Sequence, residues 1–350
     1  MQPEMNVVML GHVDHGKTSI TKALSGVWTD THSEELKRGI TIKMGYADVN
    51  IYKCSSCKGA EAYSVSEICP ICGSESKLIR KFSLLDAPGH ETLMTTAISA
   101  SSITDGAILV IAANEPCPQP QTAEHLNVLE VLDVDNIVVI QNKIDIVGIE
   151  KAKENYNQIK EFLKGTKAEN APIIPMVANQ GLNIDVLLKT VYEKIPLPER
   201  KPTNKLRMYI ARSFDVNKPG TELQKLNGAV IGGSIIEGKI IEGQEIEISP
   251  GIIIDKKKGE FEPIITKVQN IRTGNDKVSE AGPGGLLALS TLLDPALAKS
   301  DGLVGQIVGL PGTLPSAVKK LKMKYKLISR ELEDNSNLSL QLNEPIVLSV

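Results

Sequence analysis

Four cysteines, Cys54, Cys57, Cys69 and Cys72, stand in the pattern C-x2-C-x11-C-x2-C within a chain of 350 residues. Two C-x2-C turns separated by a short loop can bring four thiolates around one tetrahedral zinc ion. A redox pair needs only one such turn, and disulfides belong to oxidising compartments. The chain runs from Met1 to Met5 straight into an apolar segment, with no basic and apolar leader, so the expected compartment is the reducing cytoplasm. Four thiolates leave no position for water. The expected Zn²⁺ is therefore structural, supplying the folding energy of a segment too small to hold its own core. Cys117 has no cysteine near it in sequence and reads as a small buried or loop residue.

A second cluster precedes the first. GHVDHGKT, Gly11 to Thr18, fits G-x-x-x-x-G-K-[ST] between an apolar run and a helical pattern. In that setting the backbone N–H groups of Val13, Asp14, His15, Gly16 and on to Ser19 can ring a phosphate at the helix N-terminus. Lys17 would reach the β- and γ-phosphates, and Thr18 would offer its hydroxyl to Mg²⁺. The bland alternative is a glycine turn that merely joins strand to helix.

Two further stretches bear on that choice. DAPGH (86–90) closes an apolar run; Asp86 there is placed to hold Mg²⁺ through a water, and the Gly89 N–H to touch a γ-phosphate. NKID (142–145), with Asn142, Lys143 and Asp145, ends the next apolar run but one. Asp145 can accept from N1–H and the 2-amino group of guanine together, a contact adenine does not offer. Each is weak alone, since D-x-P-G is a common turn and loops often contain Asn, Lys and Asp. In this order, at the carboxyl ends of strands where open α/β sheets bind ligands, they define a site for GTP and GDP.

The elements that must position these residues alternate. Runs at 5–11, 81–86, 106–113, 136–142 and 172–178 read as buried parallel strands, with helical patterns at 17–26, 90–101 and 152–165 between them. Residues 1–195 are thus expected to form a doubly wound, mostly parallel α/β domain of the P-loop kind, carrying the zinc knuckle at 54–72. PLPERKPTN (196–204) reads as a linker, and 205–315, rich in glycine and β-branched residues, as a β-barrel. Residues 316–350 suggest a few more strands, too few to close a second barrel. No apolar run approaches membrane-spanning length. The net charge of −3 argues neither for nor against a nucleic-acid partner: residues 1–200 hold 19 Lys and Arg against 25 Asp and Glu, and the rest 20 against 17.

With these motifs in place the chain resembles the translational GTPases, the group that includes elongation factor Tu. RGITI (38–42) is similar to that group's first switch and DAPGH to its second. The resemblance implies that Thr41 joins Thr18 on Mg²⁺, with further contacts from Asp14 and Gly39. It also implies that His90, which alone reads as a capping or solvated residue, orients the attacking water. Within the group the knuckle, and stretches such as ANEPCPQPQTAEHL (113–126) and RMYIARSFDVNKPGT (207–221), resemble the gamma-subunit family of archaeal and eukaryotic translation initiation factor two along essentially the whole chain. That family implies hydrolysis of GTP and the alpha and beta subunits of a heterotrimer as partners. It also implies methionylated initiator tRNA as cargo and the small ribosomal subunit as destination. Val177-Ala178-Asn179 stands where the family has Ser-Ala-x; the alanine N–H, here that of Ala178, is the expected contact to guanine O6. The family's third barrel is incomplete here, which leads to the expectation that tRNA binding suffers more than nucleotide binding. Two other readings are a GTPase of the selenocysteine-specific elongation factor kind, against which the knuckle argues, and a GTP-gated binding module with negligible intrinsic hydrolysis.

Overall fold

The computed structural model describes residues 2–29, 45–88, 103–218, 220–255, 258–274, 276–316, 318, 320–322 and 342. Its first sheet uses strands β1 (Asn6–Leu10), β2 (Gly45–Lys53), β3 (Tyr63–Ser64), β4 (Lys77–Asp86), β5 (Gly106–Ala112), β6 (Ile137–Asn142) and β7 (Ile173–Pro175). Their order is β3-β2-β4-β1-β5-β6-β7. Strands β4, β1, β5, β6 and β7 run parallel, whereas β2 and β3 are antiparallel to their neighbours. The parallel strands explain their own composition. Every residue of β1, β5 and β6 is buried, as strands covered by helices on both faces require. Strand β2 alternates buried and half-buried positions over most of its length, so its side chains face one covered and one more open surface.

Among the described residues the covering helices are Lys17–Ser25, Pro120–Val131, Ile149–Leu163 and Ile184–Lys194. Asn155, Ile159 and Leu163, four residues apart, form the buried stripe of the third. Two core clusters result, one on each face. Ile20, Phe82, Leu84, Val110, Leu187 and Val191 share the first, and Leu85, Leu109, Leu126, Leu129 and Ile159 the second.

The antiparallel arm was not foreseen. It is a hairpin of β2 and β4, pairing Gly45 with Asp86 at one end and Lys53 with Lys77 at the other. The cysteine segment is the loop of that hairpin, so it sits at the end of β4 remote from Asp86. Ten residues of strand separate the two, about 30 Å.

The second domain uses β8 (Arg207–Phe214), β9 (Val230–Glu237), β10 (Ile240–Ile241), β11 (Glu245–Asp255), β12 (Glu260–Thr273), β13 (Asp276–Val278), β14 (Glu280–Ala281), β15 (Leu286–Thr291) and β16 (Ile307–Gly309). Strands β11-β16-β8-β9-β15-β12 are paired in turn, and β11 pairs again with β12. Six antiparallel strands therefore close into a barrel, filled by Met208, Ile210, Ile231, Ile246, Ile248, Val268 and Leu289. The strands suggested after Pro315 lie almost wholly outside the described residues.

The barrel docks on the first sheet through buried polar contacts. Asn6 Nδ2 donates to Ile103 O at 2.9 Å and to Ser234 Oγ at 2.9 Å, and Ser234 Oγ donates to Gly284 O at 2.7 Å. Ser83 Oγ donates to Asp48 Oδ1 at 3.0 Å while accepting from the Leu286 N–H at 2.8 Å. Lys81 Nζ lies 3.3 Å from the same Asp48. Between the domains is a cavity of about 190 Å³ with Tyr46, Phe214, Arg212, Arg272 and Gly233 among its walls. The linker is tied down as well, because Arg200 pairs with Asp105 at 2.6 Å and Asp105 accepts from the Asn6 N–H at 2.8 Å.

Candidate functional site

The loop between β1 and helix Lys17–Ser25 is shaped by two glycines. Gly11 has φ +138 and Gly16 φ +93, and a Cβ at either would collide, with the Val110 carbonyl at Gly11 and with the Asn142 amide at Gly16. Asp14 also takes a positive φ, at the exposed tip. The consequence is a tight turn that leaves the first N–H groups of the helix at the loop mouth, where an anion is favoured. Lys17 crosses that mouth: its ammonium donates to Gly11 O at 2.9 Å and His12 O at 2.8 Å. Val13, Thr18 and Ser19 are half-buried around it.

Three side chains hold the loop from below. Asn142, buried at the end of β6, donates through Nδ2 to His15 O at 2.9 Å and accepts through Oδ1 from the Ala178 N–H at 3.2 Å. It thereby joins the phosphate loop to the turn after β7. His15 is fully buried, with Nδ1 2.9 Å from Val110 O and Nε2 3.3 Å from Glu115. His125, from helix Pro120–Val131, accepts from the Gly11 N–H through Nδ1 at 3.0 Å. Burial pushes His15 down to about 4 and His125 down to about 3, so His125 is an uncharged acceptor at neutral pH. Neither His125 nor Glu115 was legible as part of the site, since a histidine within a helical pattern carries no mark of the loop it touches.

At the sheet's carboxyl edge, Lys143 sits in the left-handed region with φ +61. Asp145, two residues on, is exposed, with Oδ2 3.4 Å from Gln180 Nε2. The Ala178 N–H, expected at guanine O6, here donates to Asn142. Asp86 ends β4 fully buried and accepts from the Thr29 hydroxyl at 2.6 Å. Gly39, Thr41, Gly89 and His90 lie outside the described residues. The donors that are described, the Thr18 hydroxyl and the carboxylates of Asp14 and Asp86, are hard oxygens of the kind that suits Mg²⁺.

The four cysteine sulfurs lie within 4.8 Å of one another. Cys54 Sγ is 3.5 Å from Cys72 Sγ, and Cys57 Sγ is 3.7 Å from Cys69 Sγ. A tetrahedron with metal–sulfur bonds of 2.3 Å has edges of about 3.8 Å, so the cluster has the size to hold such an ion. Hydrogen bonds from Ser74 pull the exposed Cys72 thiol down to about 6. The segment rests on the core through Ala62, Tyr63 and Cys57. Beside it, Arg80 binds β4 to the end of the helix behind, donating to Tyr192 O and Ile195 O at 2.9 and 2.8 Å and stacking on the Tyr192 ring.

A family model described as the elongation factor Tu GTP binding domain matches residues 2–197, a range that includes the loops just described. This defines a translational GTPase. Translation initiation factor 2 subunit gamma of Methanococcus maripaludis strain C7 is 55% identical over 353 residues, covering 100% of this chain and 86% of that protein. The same subunit of Methanocaldococcus jannaschii is 54% identical over 341 residues, covering 97% and 82%. The chain belongs to the translation initiation factor 2 gamma-subunit family. Among solved structures, a bacterial selenocysteine-specific elongation factor matches with TM-score 0.67 and 26% identity, covering 89% of this chain and 45% of that one. Elongation factor SelB of Methanococcus maripaludis, bound to a GTP analogue, matches with TM-score 0.66 at 24% identity over 56% of its length, which speaks to fold alone. The chain therefore spans about half the length of these two structures. No helix among the described residues is long and apolar enough to cross a membrane.

The buried histidines set a pH dependence. Unfolded, each takes a proton near 6.5; folded, His15 does so near 4 and His125 near 3. Below pH 6.5 the unfolded chain binds more protons, so stability is full above that pH and falls as acid is added, by up to about 1.4 kcal/mol per pH unit for each histidine. Denaturant titrations from pH 7 to pH 4 should show this loss, and His125→Gln should make it shallower by about one proton. A flat profile would contradict the assignment.

Proposed function

We propose that this chain is the GTP-dependent core of a heterotrimeric, cytoplasmic initiation factor. In its GTP form it binds methionylated initiator tRNA and delivers it to the small ribosomal subunit, and hydrolysis releases it. The alpha subunit docks on the second domain and the beta subunit on the GTPase domain. The observation that carries this reading is identity of 53–55% along nearly the whole chain with proteins named as this gamma subunit. The interdomain cavity supports it further, since an apolar recess beside Arg212 and Arg272 suits an aminoacyl end attached to a charged backbone.

In this reading the N–H groups from Val13 to Ser19 cradle the phosphates. Lys17 exchanges its two carbonyl partners for β- and γ-phosphate oxygens. Thr18, Thr41, Asp14 and Gly39 would hold Mg²⁺, with Asp86 acting through a water, and the ion there would supply positive charge against that developing on the phosphates. Gly89 meets the γ-phosphate and His90 orients the attacking water. Asn142, Lys143 and Asp145 frame the guanine. Its O6 faces the Ala178 turn, where the Ala178 N–H would be shared with Asn142. The four cysteines would hold Zn²⁺.

Filter binding of methionylated initiator, uncharged initiator and elongator tRNA, each with GTP and GDP, tests the whole proposal. Selective retention of the methionylated initiator in GTP is expected; equal retention of all three would refute it. For the base site, Asp145→Asn should weaken GTP binding by roughly 2–4 kcal/mol and favour xanthosine triphosphate, whose 2-oxo group matches the new amide donor. Unchanged GTP affinity would mean that guanine is read elsewhere. For the metal, elemental analysis should find one zinc per chain. Zinc-selective chelation with Mg²⁺ kept in excess should expose residues 54–76 to protease while leaving GDP affinity intact, because the knuckle and Asp86 lie at opposite ends of β4. Loss of GDP binding on chelation would contradict that separation.

A further inference from the structure

The Thr29 hydroxyl donates to Asp86 Oδ2 at 2.6 Å, the length of a charge-assisted O–H···O⁻ bond. Its acceptor is fully buried and flanked on both sides, with Met9 of β1 and Gly45 of β2 in register with it. Thr29 arrives there from the phosphate loop's own helix. That helix ends at Ser25, and Gly26 turns the chain with φ +74 while its N–H bonds Lys22 O at 2.7 Å. The Val27 N–H then bonds Ser25 Oγ at 3.1 Å, and the Lys22 ammonium covers the Trp28 ring at 5.4 Å. Beyond this turn Thr29 lies against Gly45, where an added Cβ would stand 2.5 Å from the Thr29 Cβ. A β-branched side chain so confined has little rotamer freedom.

We infer that Thr29 is a positioning residue for Mg²⁺ binding, acting through Asp86. The inference rests on the reading of Asp86 as the carboxylate that receives a metal-bound water. Rotation of a carboxylate about its terminal torsion is broad and roughly two-fold, so a short bond to one oxygen fixes the direction in which the group accepts. Because Thr29 follows, one turn of chain later, the helix that begins with Lys17 and Thr18, this bond ties the metal's two sides, loop and strand end, into one unit. Valine has the same shape without the donor, and serine keeps the donor. The two substitutions therefore separate the hydroxyl from the packing.

The test is release of a fluorescent GDP from the full chain as a function of free Mg²⁺. Thr29→Val should raise the Mg²⁺ concentration for half-maximal retention by about tenfold, the scale of one lost bond to a charged group, with release in EDTA unchanged. Thr29→Ser should stay near wild type. Gly45→Ala, which pushes Thr29 off Asp86 without removing its hydroxyl, should shift in the same direction as Thr29→Val and decides the matter if the valine variant fails to fold. An unchanged Mg²⁺ requirement would overturn the inference. So would a lowered one, since the hydroxyl would then be competing with the metal's water, or equal acceleration in EDTA, the mark of a purely structural role. Asp86→Asn supplies the control. If it leaves the Mg²⁺ requirement unshifted, the reading of Asp86 falls and this inference with it; if it shifts while Thr29→Val does not, the inference alone falls.

Discussion

One buried amide holds the nucleotide end of the sheet together. Asn142 donates to the phosphate loop at His15 O and accepts from the turn after β7 at the Ala178 N–H. It is 2% exposed, so neither bond competes with water, and loss of either would leave a buried polar group unsatisfied. The dependence runs both ways. Gly16 has to be glycine because the Asn142 amide occupies the space a Cβ would take. The asparagine of the guanine motif is thus a tie between phosphate and base loops, and the two halves of the ligand would be met by one connected frame.

A second layer of neutral donors and acceptors supports that frame. His125 accepts from Gly11 only while uncharged, and its burial keeps it so. Next to it, Lys17 is a buried cation compensated by two carbonyls of its own loop. Protonating His125 would place a second buried charge beside the first and remove the acceptor at the same time. The local electrostatics therefore favour a single cation on the loop, a charge that suits an anion at its mouth.

Sequence and structure divide along a physical line. The phosphate loop, the end of β6 and the cysteine cluster were legible because their chemistry depends on spacing along the chain, and the parallel strands because their residues are apolar throughout. The β2–β4 hairpin was not. Its strand GYADVNIYK alternates like any half-covered segment, and its pairing with Lys77–Asp86 crosses the cysteine loop. Asn6 gave no sign either, since a polar residue opening a strand looks like a solvated end. It is instead fully buried against Ser234, more than two hundred residues away. His125 and Thr29 belong to the same class, because their partners come from distant elements and periodicity is silent about both.

The hairpin also places nucleotide and barrel closer than their separation in sequence suggests. Gly45 is in register with Asp86, and the next pair is Tyr46 with Leu85. Tyr46 is a wall of the interdomain cavity, and Asp48, two residues further, accepts from the Ser83 hydroxyl that also receives the Leu286 N–H of the barrel. Within four residues, β2 passes from the carboxylate edge of the nucleotide site to the surface that carries the second domain. A further dock, at Asn6, is at the opposite end of β1 from the phosphate loop. The barrel is thus held at a point remote from the nucleotide and lined along a strand that begins beside it. A change confined to the start of β2 would then alter the cavity walls without requiring the barrel to detach.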